Sequence, residues 1–589
     1  MITPIEPECV LSDRVFGDAL GVVERSGAAT LIDSYAAEAR GAGGRPRAGG
    51  VRYTMTAVLV ALMARIMLTR TPSIRGVLAT IADFTDTQQA AVGMTGAPSP
   101  LIRADYKRFH DWLTTQLTPL DSHHDLPARR VRNDRDRQQR AARTAEVLVQ
   151  QAAALERSRI VTNRIIAGSI LDPIPPKCRG DVVADGTILD LSGPTNLGVR
   201  EDRMRGAAPM GRFYARTSAN TVHTGQGSPG QLRKAGYGIE ITAITRIGQP
   251  DALHAVAPVI TGIDIHTPTS GSVEGLSVAL RFHQENGFDN RVGGRARWPR
   301  LVIDMGYNTK TGFGELMLDL QYAAVARYPK HWSKLHVARN PQGSTNPVPP
   351  GVIQGYGAFY CEAATPLLAV DNLLKPTRDW LTARAFRAHD ERLAALLPLL
   401  VGVNSKPKYG RPHRGRPSSG NSPEQVVKLE IVCPAVQLRV RCPHKPDSMT
   451  LAPMEAPTVS PAWVAEERTL CRKSSTTVTL TDDQLRMAQF DLVPVSWEHA
   501  LYFEAARALT EQRFGFLKNP HITGISDLIW GPKREPILKV IIACAIAVAN
   551  LRSQQAPADR PDRTESIQVK WRRLARDLGR EPTRTPPRT

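Results

Sequence analysis

Between residues 53 and 69, apolar side chains fall at Val58, Leu59, Leu62, Met63, Ile66 and Met67, the i, i+3, i+4 spacing of one helix face. Pro72 and Ser73 open a second helical stretch through Ile81, with Ser73 placed to cap it, and residues 105–117 predict a third. Residues 1–50 are mixed and end in the Gly/Arg/Pro-rich run 41–50, a linker by composition. Residues 128–143 hold Arg129, Arg130, Arg132, Arg135, Arg137, Arg140 and Arg143, followed by an Ala/Leu-rich stretch to Leu155. They predict an extended basic helix suited to a phosphate backbone.

From Asp181 the period changes. Residues 181–191, 237–247 and 254–265 predict three strands, 270–283 a helix, 301–304 a buried strand, 311–321 a helix and 322–328 a last strand. Three strands followed by strand–helix alternation describe a mixed sheet with helices on its faces. The Gly-rich stretch 193–236, with Arg200, Arg203, Arg205 and Arg212, predicts a loop facing a substrate. Residues 329–495 interrupt this rhythm with expected strands at 351–361, 425–433, 436–442 and 476–480 around a helix at 382–400. Inside that insertion, the basic, low-complexity run 406–417 predicts a mobile loop. A long helix follows from Trp497 to Lys518, then an apolar helix at 537–551 that is short for a bilayer and suits a core. The basic tail from Ala556, with Arg572, Arg573, Arg576 and Arg580, is expected to end in disorder.

Composition adds a partner class. The 589 residues carry a formal charge of +20 and are 42% hydrophobic, enough for several domains around real cores. So basic a balance favours a polyanion, usually nucleic acid. Seven scattered cysteines do not form a disulfide framework, and the first residues lack the regions of a signal peptide, so a cytoplasmic location without a membrane partner is expected. Cys433, Cys442, His444 and Cys471 invite a zinc reading, but no C-x2-C pair is present, and small buried cysteines are the expectation.

The chemistry concentrates on three stations. Val182–Thr187 is an apolar run ending in Asp185-Gly186, and Leu301–Tyr307 repeats the form with Asp304. On the late helix, Arg507 and Glu511 differ by a net turn of about 40°, and Glu511 and Lys518 by about 20°, so the three share a face. Alone, that face is a solvated stripe with one Arg–Glu pair. Together with two strand-end carboxylates, it is the layout a two-metal phosphoryl-transfer site requires.

Asp185-Gly-Thr, Asp304-x-Gly-Tyr and Arg507-x3-Glu511-x6-Lys518 resemble the bacterial insertion-sequence DDE transposases. Their core is RNase H-like, and a Tyr–Arg–Glu–Lys signature surrounds the last acid. The resemblance implies an α/β fold: an RNase H-like mixed sheet flanked by helices, a largely β insertion and a helical N-terminal domain. The corresponding layout is an N-terminal segment and linker (1–50), a helical DNA-binding domain (51–160), a catalytic core in two parts (181–328 and 496–555), the insertion (329–495) and a basic tail (556–589). It implies Asp185, Asp304 and Glu511 as catalytic ligands of two Mg2+ ions, with Mn2+ able to substitute. Arg507, Lys518, Tyr502, Arg129, Arg130 and Arg132 would contact DNA. The partners would be double-stranded DNA, as terminal inverted repeats and target, and a second copy of the chain in the DNA complex. A nuclease without strand transfer and a domesticated, inactive DNA-binding derivative are the alternatives.

One position departs from the signature. The family's Tyr stands three residues before the Arg, where this chain has Glu504, and Tyr502 lies about 140° from Arg507 around the helix. Either Arg507 is partly occupied with Glu504 at i+3, or a helix irregularity returns Tyr502 to the DNA side. Asp190 and Asp319 are nearby substitutes for the first two acids.

Overall fold

The computed structural model describes residues 11–40, 52–175, 178–193, 204–217, 232–269, 271–291, 298–328, 332, 334–341, 344–369, 383–410, 426–523, 525–526, 528–555 and 566–587. The linker at 41–50, Arg200 and Arg203, and most of the basic run 406–417 lie outside them. Among the described residues the fold is mixed α/β, with mixed sheets and no closed barrel.

Helices α1 (Asp13–Ser26), α2 (Ala28–Arg40), α3 (Met55–Met67), α4 (Ile74–Ala82) and α5 (Arg103–Leu117) come first. Thr54 and Ser73 cap α3 and α4 by accepting the amides of Ala57 and Gly76. The sequence pattern offered α3 one apolar face. The structure buries it nearly all round, because α1, α4 and the late helix Glu535–Gln555 pack against different sides of it.

The expected extended basic helix is broken. Arg129 and Arg130 lie in an exposed bend, Arg132 precedes α6 (Asn133–Ala141), and α7 (Ala145–Gly168) begins anew with Thr144 as its cap. The acids among the arginines explain the break: Asp134 pairs with Arg132, Asp136 with Arg140 and Arg205, and Asp125 with Arg143.

The main sheet contains β1 (Val182–Asp190), β2 (Arg212–Thr217), β3 (Leu232–Arg246), β4 (Ile260–His266), β5 (Arg300–Ile303) and β6 (Ala323–Ala326). Its order is β4-β3-β1-β5-β6, and β2 pairs with the first half of β3. Contacts β1–β3 and β3–β4 are antiparallel, whereas β1–β5 and β5–β6 are parallel. The stretch 193–236 is therefore not all loop, since β2 widens the sheet. Helices α8 (Ser272–Glu285), α9 (Met305–Asn308) and α10 (Phe313–Asp319) follow the predicted alternation.

Strand alternation divides the core. Val182, Ala184, Leu301 and Ile303 join Leu276, Leu280 and Phe313 on one face, whereas Val183, Val302 and Val325 face α12 (Trp497–Lys518) on the other. Helix α13 (Glu535–Gln555) shares one hydrophobic cluster with the N-terminal helices and β3 and β4, so a single core runs from α1 to the sheet. It is apolar and long enough to cross a membrane, yet 94% of its apolar window is buried within the protein. Two buried asparagines secure the edge strand: Asn163 and Asn550 each accept an amide of β4 and donate to its carbonyls, at Ile263 and Ile260.

A second core gathers around the hairpin β7 (Val352–Gly355) and β8 (Ala358–Cys361), helix α11 (Ala383–Leu396) and the paired strands β9 (Val427–Val432) and β10 (Ser475–Leu480). Residues 436–442 are turns and not the expected strand, because the amides of Val436 and Gln437 fold back onto the Cys433 carbonyl and Leu438 turns at φ 58. Of the tail, residues 566–587 are described. Helix α14 (Ser566–Leu578) sets Trp571, Leu574 and Leu578 against this core. Beyond it, the Thr583 amide donates to the buried Asp390, and the Thr585 amide donates to Glu498.

Candidate functional site

The register of β1 on β5 decides the first two acids. Val182 pairs with Leu301 and Val183 with Val302, so the same offset sets Asp185 level with Asp304 on the adjacent strand. Both share the parity of Val183 and Val302 and therefore face α12. The strand β5 ends at Ile303, and Asp304 caps α9 by accepting the Gly306 amide at 2.7 Å. A Cβ at Gly306 would lie 2.8 Å from that carboxylate oxygen. Asp185 is within β1 and not at its end, yet it is the second residue past the last parallel pair, where the sheet opens.

Helix α12 runs along β1 in the same direction. The Tyr502 hydroxyl donates to Asp181 at 3.2 Å, Arg507 reaches Asp185, and Lys518 Nζ donates to the Ile188 carbonyl at 2.7 Å. The spacing fits, since sixteen helical residues rise about 24 Å and seven strand residues about 23 Å. A helix so docked delivers Glu511 to the strand-borne acids.

The three acids meet at one guanidinium. Arg507 Nη2 lies 3.4 Å from Asp185 and 3.3 Å from Glu511, and its Nη1 lies 3.7 Å from Asp304. Exposure rises outward, from 14% for the Asp185 side chain to 39% for Asp304 and 64% for Glu511. Burial pushes the Asp185 carboxyl up to about 6; Arg507 opposes the shift, and the neighbouring Asp304 and Glu511 add to it. One cation thus leaves the cluster short of positive charge.

Two further residues lie behind the site. A Cβ at Gly186 would lie 2.6 Å from Glu240 Oε1 and 3.3 Å from the Tyr307 hydroxyl, so glycine here lets both pack against β1 on the face away from α12. Glu240 carried no signal in the sequence beyond being the one acid of β3. Tyr307 stands in the Asp304-x-Gly-Tyr run, and its buried hydroxyl lies 3.5 Å from Thr242.

The substitutes for the acids are engaged elsewhere. Asp190 pairs with Lys234 and accepts from Tyr214, and Asp319 accepts from Tyr409. Tyr502 is 1% exposed and belongs to a buried network with Asp181, Arg300 and Asp491, which corrects its expected place at a DNA surface. No irregularity interrupts α12 to turn it outward. Glu504 pairs with Arg327 and not with Arg507. Lys518 ties α12 to β1, and Arg129, Arg130 and Arg132 lie on a separate exposed stretch with Lys533 near Arg130.

Among the described residues, no group of three or more His, Cys, Asp or Glu side chains is already closed to metal-binding distances. At the acids, the Arg507 guanidinium stands between them. Comparison with protein-family models, with curated proteins and with solved structures gave no match.

Proposed function

We propose that this chain is a DNA transposase that cleaves at transposon ends and joins them to target DNA. The convergence of Asp185, Asp304 and Glu511, from three separate elements, on one guanidinium carries the reading. The sheet order supports it: three antiparallel strands followed by two parallel ones, with acids on the first and fourth in sequence of that core, is the arrangement of RNase H-like folds. A formal charge of +20 supports a DNA partner.

The donor set fits a pair of divalent cations. It offers only carboxylate oxygens, which suit Mg2+ with Mn2+ as a substitute, and its charge exceeds what Arg507 neutralises. When bound, such ions acidify an attacking water or 3′-hydroxyl and offset charge on a leaving 3′-oxygen. Asp185 and Asp304 are fixed by strand register and a helix cap, and Glu511 enters from the more exposed side. Arg507 holds the acids together without metal and is the nearest charged donor for a scissile phosphate once they are neutralised. Lys518 positions α12, and Arg129, Arg130 and Arg132 contact the DNA backbone away from the chemistry. The protein works in the bacterial cytoplasm, as a homodimer on paired ends.

Incubation with paired end DNA and Mg2+ tests this, with Asp304→Asn alongside. Joined products from the wild type, absent from a variant that still binds DNA, are expected. Cleavage without joining would mark a nuclease, and binding without cleavage an inactive derivative.

A further inference from the structure

Four cysteines from distant parts of the second core surround one small cavity. Cys361 ends β8, Cys433 follows β9, Cys442 lies in the turn that doubles back from it, and Cys471 sits in the short helix Thr469–Arg472. All four line a cavity of about 20 Å³, with His444 and Lys445 also at its wall. That volume admits one small occupant and no more.

Each sulfur also has an N–H nearby. The amides of Ala363, Ala435 and His444, each two residues after its cysteine, favour the thiolate forms of Cys361, Cys433 and Cys442. Trp463 Nε1 donates to Cys471 Sγ at 3.5 Å. Turns that aim amides at sulfur stabilise thiolate, which neutral packing of cysteine does not require. Lys445 adds a positive charge beside Cys433 and Cys442.

We propose that Cys361, Cys433, Cys442 and Cys471 form a structural zinc site that ties β8, the end of β9 and the loop after it into one unit. Four thiolates in a closed, tetrahedral shell suit zinc and leave no position for a substrate. The four residues line the cavity, yet no three of their sulfurs are already close enough together to hold an ion. Binding would draw them inward to about 2.3 Å from the ion and release the thiol protons to solvent. Burial pushes up the thiols of Cys361, Cys433 and Cys442, that of Cys361 to about 12. His444 Nε2 is hydrogen-bonded to the Trp463 carbonyl at 2.8 Å, and it is left out of the shell because four sulfurs already complete a tetrahedron. The spacing hid this set, since Cys361 lies far upstream of the other three and no C-x2-C pair exists.

Full-length protein, purified under reducing conditions from zinc-supplied cells, tests the site by elemental analysis and zinc X-ray absorption. One equivalent of zinc in a four-sulfur shell at about 2.3 Å is expected. Cys361→Ser and Cys442→Ser should lose the metal, and His444→Asn should keep it. If the serine variants do not fold, the absorption spectrum of the unaltered protein and its cobalt-substituted form still decides. Four alkylatable thiols with no zinc, paired disulfides, or a shell with nitrogen in place of a sulfur would each overturn the assignment.

Discussion

At the start of β1 and β5, Arg300 lies against Asp181 and Asp491, with the Tyr502 ring beside its guanidinium and the Tyr502 hydroxyl on Asp181. Four residues further along the same strands, Arg507 lies among Asp185, Asp304 and Glu511. Both clusters join α12 to the sheet through one arginine and several carboxylates. The first is closed, with Asp181 at 2% and Arg300 at 8% exposure, and its second Asp181 oxygen also accepts the Arg300 amide. The second opens to solvent and holds three acids for one arginine. A saturated network fixes geometry, whereas an acid excess at a surface invites a cation or a positive partner.

The largest effect expected from breaking this contrast falls on the closed cluster. Arg300→Met leaves Asp181 and Asp491 without their cation in a buried setting, and urea unfolding should register a loss of about 3–5 kcal/mol. A loss under about 1 kcal/mol would show that the network does not anchor α12.

The open cluster should respond in the opposite sense. Asp185 is pushed up to about 6, so between about pH 4 and pH 6 the folded protein holds a proton that the unfolded chain has lost. Without divalent metal, stability should therefore be fullest below about pH 4 and fall as pH rises to about 6. Asp185→Asn should gain up to about 3 kcal/mol at pH 7, no advantage at pH 4, and lose cleavage. Thermal melts across that range, with and without Mg2+, provide the check; a variant less stable than wild type at pH 7 would refute the acid excess.

A smaller change separates anchoring from DNA contact. Tyr502→Phe should cost about 1 kcal/mol through one lost hydrogen bond and leave end-DNA affinity at fixed salt unaltered. A fall in affinity with an unchanged salt slope would return Tyr502 to the binding surface. Smallest of all, Glu504→Gln removes a half-exposed pair with Arg327 and should shift stability by under about 1 kcal/mol, with DNA affinity equal to or slightly above wild type.

Much of the site was legible because its elements are local. The Ala, Leu, Glu and Arg content of 497–518 makes a helix, and helical geometry alone sets Arg507, Glu511 and Lys518 on one side. Apolar runs ending at Asp185 and Asp304 made strands, and their alternation fixed which residues share a face. What covers each face was not local. Tyr502 turns inward because Asp181 and Arg300, some two to three hundred positions upstream, offer a buried partner, and Glu504 finds Arg327 before Arg507.

The same division holds elsewhere. Sequence alone determined the helices near 55–67, 74–82 and 497–518, the alternation of strands and helices from Val182 to Ala326, the capping at Ser73 and the candidate acids, since each rests on neighbours within a few positions. The core placement of α13 was already expected from its length and apolar content. Only the tertiary structure decided that the basic stretch breaks around its own aspartates. It also decided that the tail straps across Asp390 and that Cys361 joins three cysteines far downstream. These outcomes depend on partners brought together by chain reversal, and a hydrophobic or charged residue carries no local mark of which distant partner will satisfy it.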